Sequence, residues 1–163
     1  MKTDNLWLKE LINYGITKKD YESTNKLLNK KFGKEANQND VIWALFNRAL
    51  INNINNLSVQ SNIYYCMGTF VRNEEGKDPN QYFRLSTISL LNKYKSLGFT
   101  KVTFIASLGS RTCINCSKLN GKIFEIDKVI KDPPVPNKKC KSKDDYNHLL
   151  CRCAITALDN SLK

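Results

Sequence analysis

The chain has 163 residues, 26 Lys and Arg against 15 Asp and Glu for a formal charge of +11, and 41% hydrophobic residues. At about 100–150 residues per domain, that length supports one domain, or two small modules sharing a core, folding without covalent staples. No apolar run approaches the roughly 18 residues of a membrane span, and charged Lys9 and Glu10 break up the first segment, so a soluble chain without a secretion signal, in a reducing cytoplasm, is the expectation.

The first hundred residues predict helices. Asp4 caps a short one carrying Leu6, Leu8, Leu11 and Ile12 to Gly15, and Thr17 precedes a basic one with Tyr21, Asn25 and Leu28, running to Gly33. Both glycines stand where a helix C-terminus takes a left-handed residue. The strongest apolar stripe follows from about Asn39 to Asn56, with Ile42, Leu45, Phe46, Ala49, Leu50 and Ile54 at helical spacing and Trp43 flanking it as a core aromatic. Leu57 to about Arg72 carries Ile63, Tyr64, Met67 and Phe70, with Cys66 inside the stripe as a small buried hydrophobe, and ends in a turn-rich stretch at 73–79. Pro79 opens a last long helix through Phe83, Ile88, Leu90, Leu91, Tyr94 and Leu97 to Gly98.

After Gly98 the period changes from helical to alternating. Lys101–Ala106, Gly121–Ile126 and Cys153–Leu158 read as three strands. Between the second and third lie the stiff, non-helical Asp132-Pro133-Pro134-Val135-Pro136-Asn137 and a polar loop, expected to be mobile, with Lys138, Lys139, Lys141 and Lys143. The fold class is therefore α+β: a helical N-terminal body at 1–78, then at 79–163 a module with a small antiparallel β unit, the two forming one compact unit.

Five of the six cysteines fall in that module: Cys113 and Cys116 as Cys-x-x-Cys, then Cys140, then Cys151 and Cys153. A Cys-x-x-Cys pair directs two thiolates at one ion, and a distant segment completes the tetrahedron. The expected ligands are Cys113, Cys116, Cys140 and Cys151 holding a structural Zn2+, with Cys153 or His148 as alternatives to Cys140. In an extended strand, Cys151 and Cys153 would point to one face about 6–7 Å apart, longer than an edge of a tetrahedron with Zn–S of about 2.3 Å, which favours only one of them as a ligand.

His148 is the sole histidine. Its scarcity removes much enzymology: there is no His-Glu-x-x-His, no zinc-deaminase signature, no Gly-x-x-x-x-Gly-Lys and no Gly-x-Ser-x-Gly. No catalytic residue and no small-molecule substrate is evident. A closed four-sulfur site has no open position for water and holds structure.

The run Ser107-Leu108-Gly109-Ser110-Arg111-Thr112-Cys113-Ile114-Asn115-Cys116, then Leu119-Asn120-Gly121-Lys122-Ile123-Phe124 and His148-Leu149-Leu150-Cys151-Arg152-Cys153, resembles the C-terminal module of phage head-morphogenesis proteins of the MuF type, the minor capsid proteins. The resemblance covers roughly residues 80–158. It implies a zinc-knuckle-like fold and a phage or prophage origin, in the host cytoplasm or the virion.

The basic excess is spread along the chain and rests on lysine: only Arg48, Arg72, Arg84, Arg111 and Arg152 are arginines, and 20 asparagines accompany 21 lysines, a usage that AT-rich coding also produces. The leading expectation is a non-enzymatic zinc-stabilised protein that binds a protein or nucleic-acid partner and no membrane. One alternative is a sequence-nonspecific nucleic-acid-binding module in which Lys138, Lys139, Lys141, Lys143, Arg111 and Arg152 meet phosphates. Another is a thiol oxidoreductase using Cys113 and Cys116, whose dithiol would need to open a longer helix than the single turn the sequence leaves there.

Overall fold

The computed structural model describes residues 6–107, 109, 112–143 and 150–158. Five helices come first: α1 (Leu6–Ile12), α2 (Lys18–Phe32), α3 (Gln38–Asn52), α4 (Leu57–Glu75) and α5 (Asn80–Ser96). The β unit follows as β1 (Lys101–Ile105), the one-turn α6 (Ile114–Ser117), β2 (Ile123–Glu125), the one-turn α7 (Ile126–Val129) and β3 (Ala154–Ala157). This is the expected α+β architecture of a helical body with a small antiparallel sheet. The Asp4 cap lies outside the described residues.

Local chemistry explains the helix ends. Thr17 and Asp20 form a reciprocal capping box at the start of α2. Asp20 also meets Arg48 of α3 at 2.9 Å, which ties down a helix with no fully buried residue of its own. Helix α3 stops short of the expected Asn56. The Asn53 amide donates to the Ala49 and Tyr14 carbonyls at 2.9 and 3.1 Å, closing the last turn, and Ile54 is left 68% exposed beyond the stripe it was expected to extend.

The helical body is built on aromatic rings. Phe70 of α4 meets Trp7, Phe46 and Trp43 edge-on with centroids 5.2, 5.7 and 5.4 Å apart. Such pairs add about 0.5–1.5 kcal/mol each beyond the area they bury. Both indoles find acceptors: Trp7 Nε1 donates to Glu74 and Trp43 Nε1 to Glu75, at 2.9 and 2.6 Å. Two carboxylates at a helix C-terminus oppose its dipole, and the indole N–H groups offset that cost. The Trp43 and Lys77 hydrogen bonds hold the Glu75 carboxyl below its ordinary value. Cys66 departs from the expectation of a buried hydrophobe: it is only partly buried and pairs with the Tyr14 hydroxyl at 3.5 Å.

Helices α4 and α5 share a seam of small residues. Ser61 Oγ donates to the Ser86 carbonyl at 2.9 Å, and a Cβ placed on Gly68 would lie 2.6 Å from the Phe83 ring, so the helices approach through the missing methyl. Helix α5 then ends in a Schellman motif. Gly98 has φ of 86°, Phe99 N–H reaches the Tyr94 carbonyl at 3.1 Å, and the Tyr94 and Phe99 rings meet at 6.1 Å. That turn delivers the chain into β1.

The sheet order is β2-β1-β3, and β1 pairs antiparallel with both neighbours, Val102 opposite Phe124 and Phe104 opposite Ile155. Val102 and Phe104 point inward, joining Leu91, Ala106, Ile126, Ile155, Cys116 and Cys140 in a second core. Helix α7 was not foreseen; Ile126, expected as the end of a strand, begins it and packs into this core.

Candidate metal centre

The connection from β1 to β2 folds back on its own strand. Gly121 N–H donates to the Phe104 carbonyl at 2.8 Å, and Ala106 N–H to the Asn120 side chain at 2.9 Å. This places α6 at the end of the sheet. Cys113 is its N-cap and Cys116 lies one turn later, with the Cys116 and Ser117 N–H groups both donating to the Cys113 carbonyl at 3.0 Å. The single turn points both sulfurs the same way.

The other three cysteines arrive from the far side of the Pro-rich stretch. Cys140 is 4% exposed, so the polar loop expected to be mobile is anchored at its centre. Asn115 Nδ2 donates to the Lys139 carbonyl at 2.6 Å and ties that loop to α6, and Leu150 N–H donates to the Ser142 carbonyl at 2.9 Å. Cys151 and Cys153 precede β3, which begins at Ala154 and not at Cys153. Without strand geometry between them the separation expected for an extended pair does not apply. Cys116, Cys151 and Cys153 all have sulfurs within 4.8 Å of one another.

The sulfurs form two groups of three, Cys113 with Cys116 and Cys140, and Cys116 with Cys151 and Cys153. Cys116, 1% exposed, belongs to both. Cys113 and Cys140 are 3.7 Å apart and Cys116 and Cys151 3.9 Å. A tetrahedron with Zn–S of about 2.3 Å has edges of about 3.8 Å. All six cysteines are free thiols, and these spacings are far from the roughly 2.05 Å of a disulfide. The cysteine groups suit a soft metal ion, and the donor set is one of thiolates alone among the described residues.

Hydrogen bonds to the sulfurs tune them unequally. Burial pushes Cys113 up, but N–H donors from Lys141 and Cys116 and the neighbouring thiols outweigh it and bring it to about 6. Cys116 is raised by burial and by Cys113, against an opposing hydrogen bond from Asn137. Burial also raises Cys140 and Cys153, against backbone donors from Ser142 and Ser107. The site therefore offers one ready thiolate beside thiols that ionise when a cation arrives.

Asn137 is a functional residue that the sequence reading missed. Its Oδ1 accepts from Lys139 N–H at 2.9 Å and its Nδ2 donates to Cys116 Sγ at 3.4 Å. Outer hydrogen bonds of this kind orient a ligand and stabilise its charge. The available signal was an asparagine directly after proline, a turn former three residues before a cysteine.

The basic residues separate. Lys138 Nζ and Arg84 Nη1 share Asp132 Oδ1 at 2.8 and 2.9 Å, so two cations meet one carboxylate. Lys139, Lys141, Lys143 and Arg152 are exposed around the cysteines. Arg111 and His148 lie outside the described residues. No helix among the described residues is long and apolar enough to cross a membrane. Comparisons with protein-family models, curated proteins and solved structures find no match to this chain.

Proposed function

We propose that the chain is a non-enzymatic, zinc-stabilised binding protein of phage or prophage type, with Cys113, Cys116, Cys140 and Cys151 holding the ion that staples the β unit. The observation that carries this reading is that the Cys113, Cys116 and Cys140 sulfurs lie within 4.8 Å of one another with Cys151 3.9 Å from Cys116; Cys151 falls in the group with Cys116 and Cys153, so it would close toward Cys113 and Cys140 when the ion binds. Zinc on these thiolates would join the two flanks of the Pro-rich stretch and supply stability that three short strands lack. The MuF-type strings span the same cysteines, which is why a head-morphogenesis setting, in the host cytoplasm or the virion, is the favoured context. The expected result is at least one zinc per chain in protein purified under reducing conditions. A metal-free protein with the same fold and no zinc affinity would overturn the reading.

A second reading is favoured by exposed Lys139, Lys141, Lys143 and Arg152 beside the centre: a partner that is nucleic acid, bound without sequence preference. Each phosphate contact contributes about −0.9 to the log-log salt slope on duplex DNA, so replacing the three lysines with alanine would flatten the slope by about 2.7. Affinity that ignores salt would remove nucleic acid and leave a protein partner.

A further inference from the structure

The zinc reading uses four of the five clustered cysteines and leaves Cys153 without a role. Its sulfur nevertheless lies within 4.8 Å of both Cys116 and Cys151. One tetrahedral ion has four positions, and a fifth thiolate cannot join it. Two groups of three sulfurs that meet at one shared, buried sulfur have the connectivity of a thiolate-bridged pair of ions.

We propose that the centre takes two thiophilic cations of the zinc class, one on Cys113, Cys116 and Cys140, the other on Cys116, Cys151 and Cys153, with the Cys116 thiolate bridging them. The inference rests on the zinc reading above and extends it. The first equivalent takes the four-sulfur set; the second recruits Cys153, and Cys151 moves with it to the new ion. At the second step Cys153 loses its S–H proton to solvent, Cys151 exchanges its bond to the first ion for one to the second, and the Cys116 thiolate, already bound to the first ion, bridges through a further sulfur lone pair.

Three observations support a second ion over an idle thiol. Cys116 is placed to bridge: its sulfur belongs to both groups of three, it is nearly fully buried, and Asn137 Nδ2 donates to it. Charge balance also favours it, since five thiolates around one divalent ion would carry a net charge of −3, and around two a net charge of −1. Finally, a cavity of about 220 Å³ is lined by Cys113, Cys116, Cys140 and Cys153 together with Ser107 and Ser142. It borders sulfurs of both groups and has room for a water to complete the coordination of either ion. The second ion enters only by taking Cys151 from the first, which makes it the weaker and more exchangeable of the two.

The test is a titration of reduced, metal-free full-length protein with Zn2+, read by native mass spectrometry, and with Co2+, read by electron paramagnetic resonance. Two zinc ions are expected, the second released first to a chelator. The cobalt signal should grow through the first equivalent and shrink through the second as the bridged pair couples. Cys153→Ser should bind one ion with first-equivalent affinity unchanged. A wild-type limit of one ion overturns the two-ion centre and leaves the zinc reading standing, whereas no binding overturns both. A cobalt signal that doubles at the second equivalent, or a Cys153→Ser variant that still binds two ions, also overturns the bridged arrangement. Because stoichiometry and coupling are read on the wild type, a variant that misfolds does not spare the proposal.

Discussion

The two cores of this molecule solve the same problem with different materials. In the helical body, Phe70, Phe46, Trp7 and Trp43 interlock edge to face, and the only polar atoms they bring, the two indole N–H groups, end on carboxylates. Around the sheet, strands of five, three and four residues and two helices of four residues each offer far less apolar surface, and two cysteines sit among the buried residues. Single helical turns and strands this short are marginal by themselves. The contrast teaches that the first core can stand on hydrophobic burial, while the second gathers sulfurs that could hold a metal ion.

The sharpest way to break that contrast is to remove metal. A structural zinc contributes on the order of 10 kcal/mol in small zinc-finger peptides. Chelation under reducing conditions, or Cys116→Ser, should strip amide-exchange protection from β1 and β3 while α3 and α4 keep theirs. Equal retention in both halves would show that the β unit needs no ion.

Acid should have the next largest effect, and its sign follows from the thiols. Cys113, brought to about 6 from an ordinary 9.0, is already a thiolate at pH 7 and releases no proton when zinc binds. Cys116 and Cys140, raised by burial, each release one. Zinc affinity should therefore fall with decreasing pH, and below about 6 the slope should steepen by one proton as Cys113 joins. Calorimetry in buffers of different ionisation enthalpy would count the protons. In the metal-free fold the depressed Cys113 contributes stability that is complete above 9.0 and lost as pH falls through about 6.

Damage confined to the other half should be smaller and leave the metal alone. Phe70→Ala empties the centre of the ring cluster and should cost about 3–5 kcal/mol in urea unfolding, with zinc stoichiometry unchanged. Thr17→Ala removes one arm of the α2 capping box and should cost about 1 kcal/mol, seen as fraying of α2 alone in amide exchange.

Much of this was legible in the residues. Periodicity located the five N-terminal helices, alternation located the three strands, and the cysteine spacing named the segments whose sulfurs meet. Local sequence patterns fall short where tertiary contacts decide. Treating Cys151 to Cys153 as strand put their sulfurs too far apart; the strand begins one residue later, and both thiols turn inward. A lysine-rich loop reads as solvated, yet Cys140 at its centre is drawn into the core by α6 through Asn115 and Lys139. The hydrogen bond from Asn137 to Cys116 joins residues 21 positions apart, a pairing that no local pattern encodes.

The seam at Gly68 has a mechanical consequence. Where two helices are held apart by bulky side chains, one can slide or roll on the other; here the Phe83 ring occupies the place of a methyl that Gly68 does not have, so displacement along the axis meets the neighbouring turn. The same helix places Leu91 in the second core, so α5 is packed into both halves of the molecule.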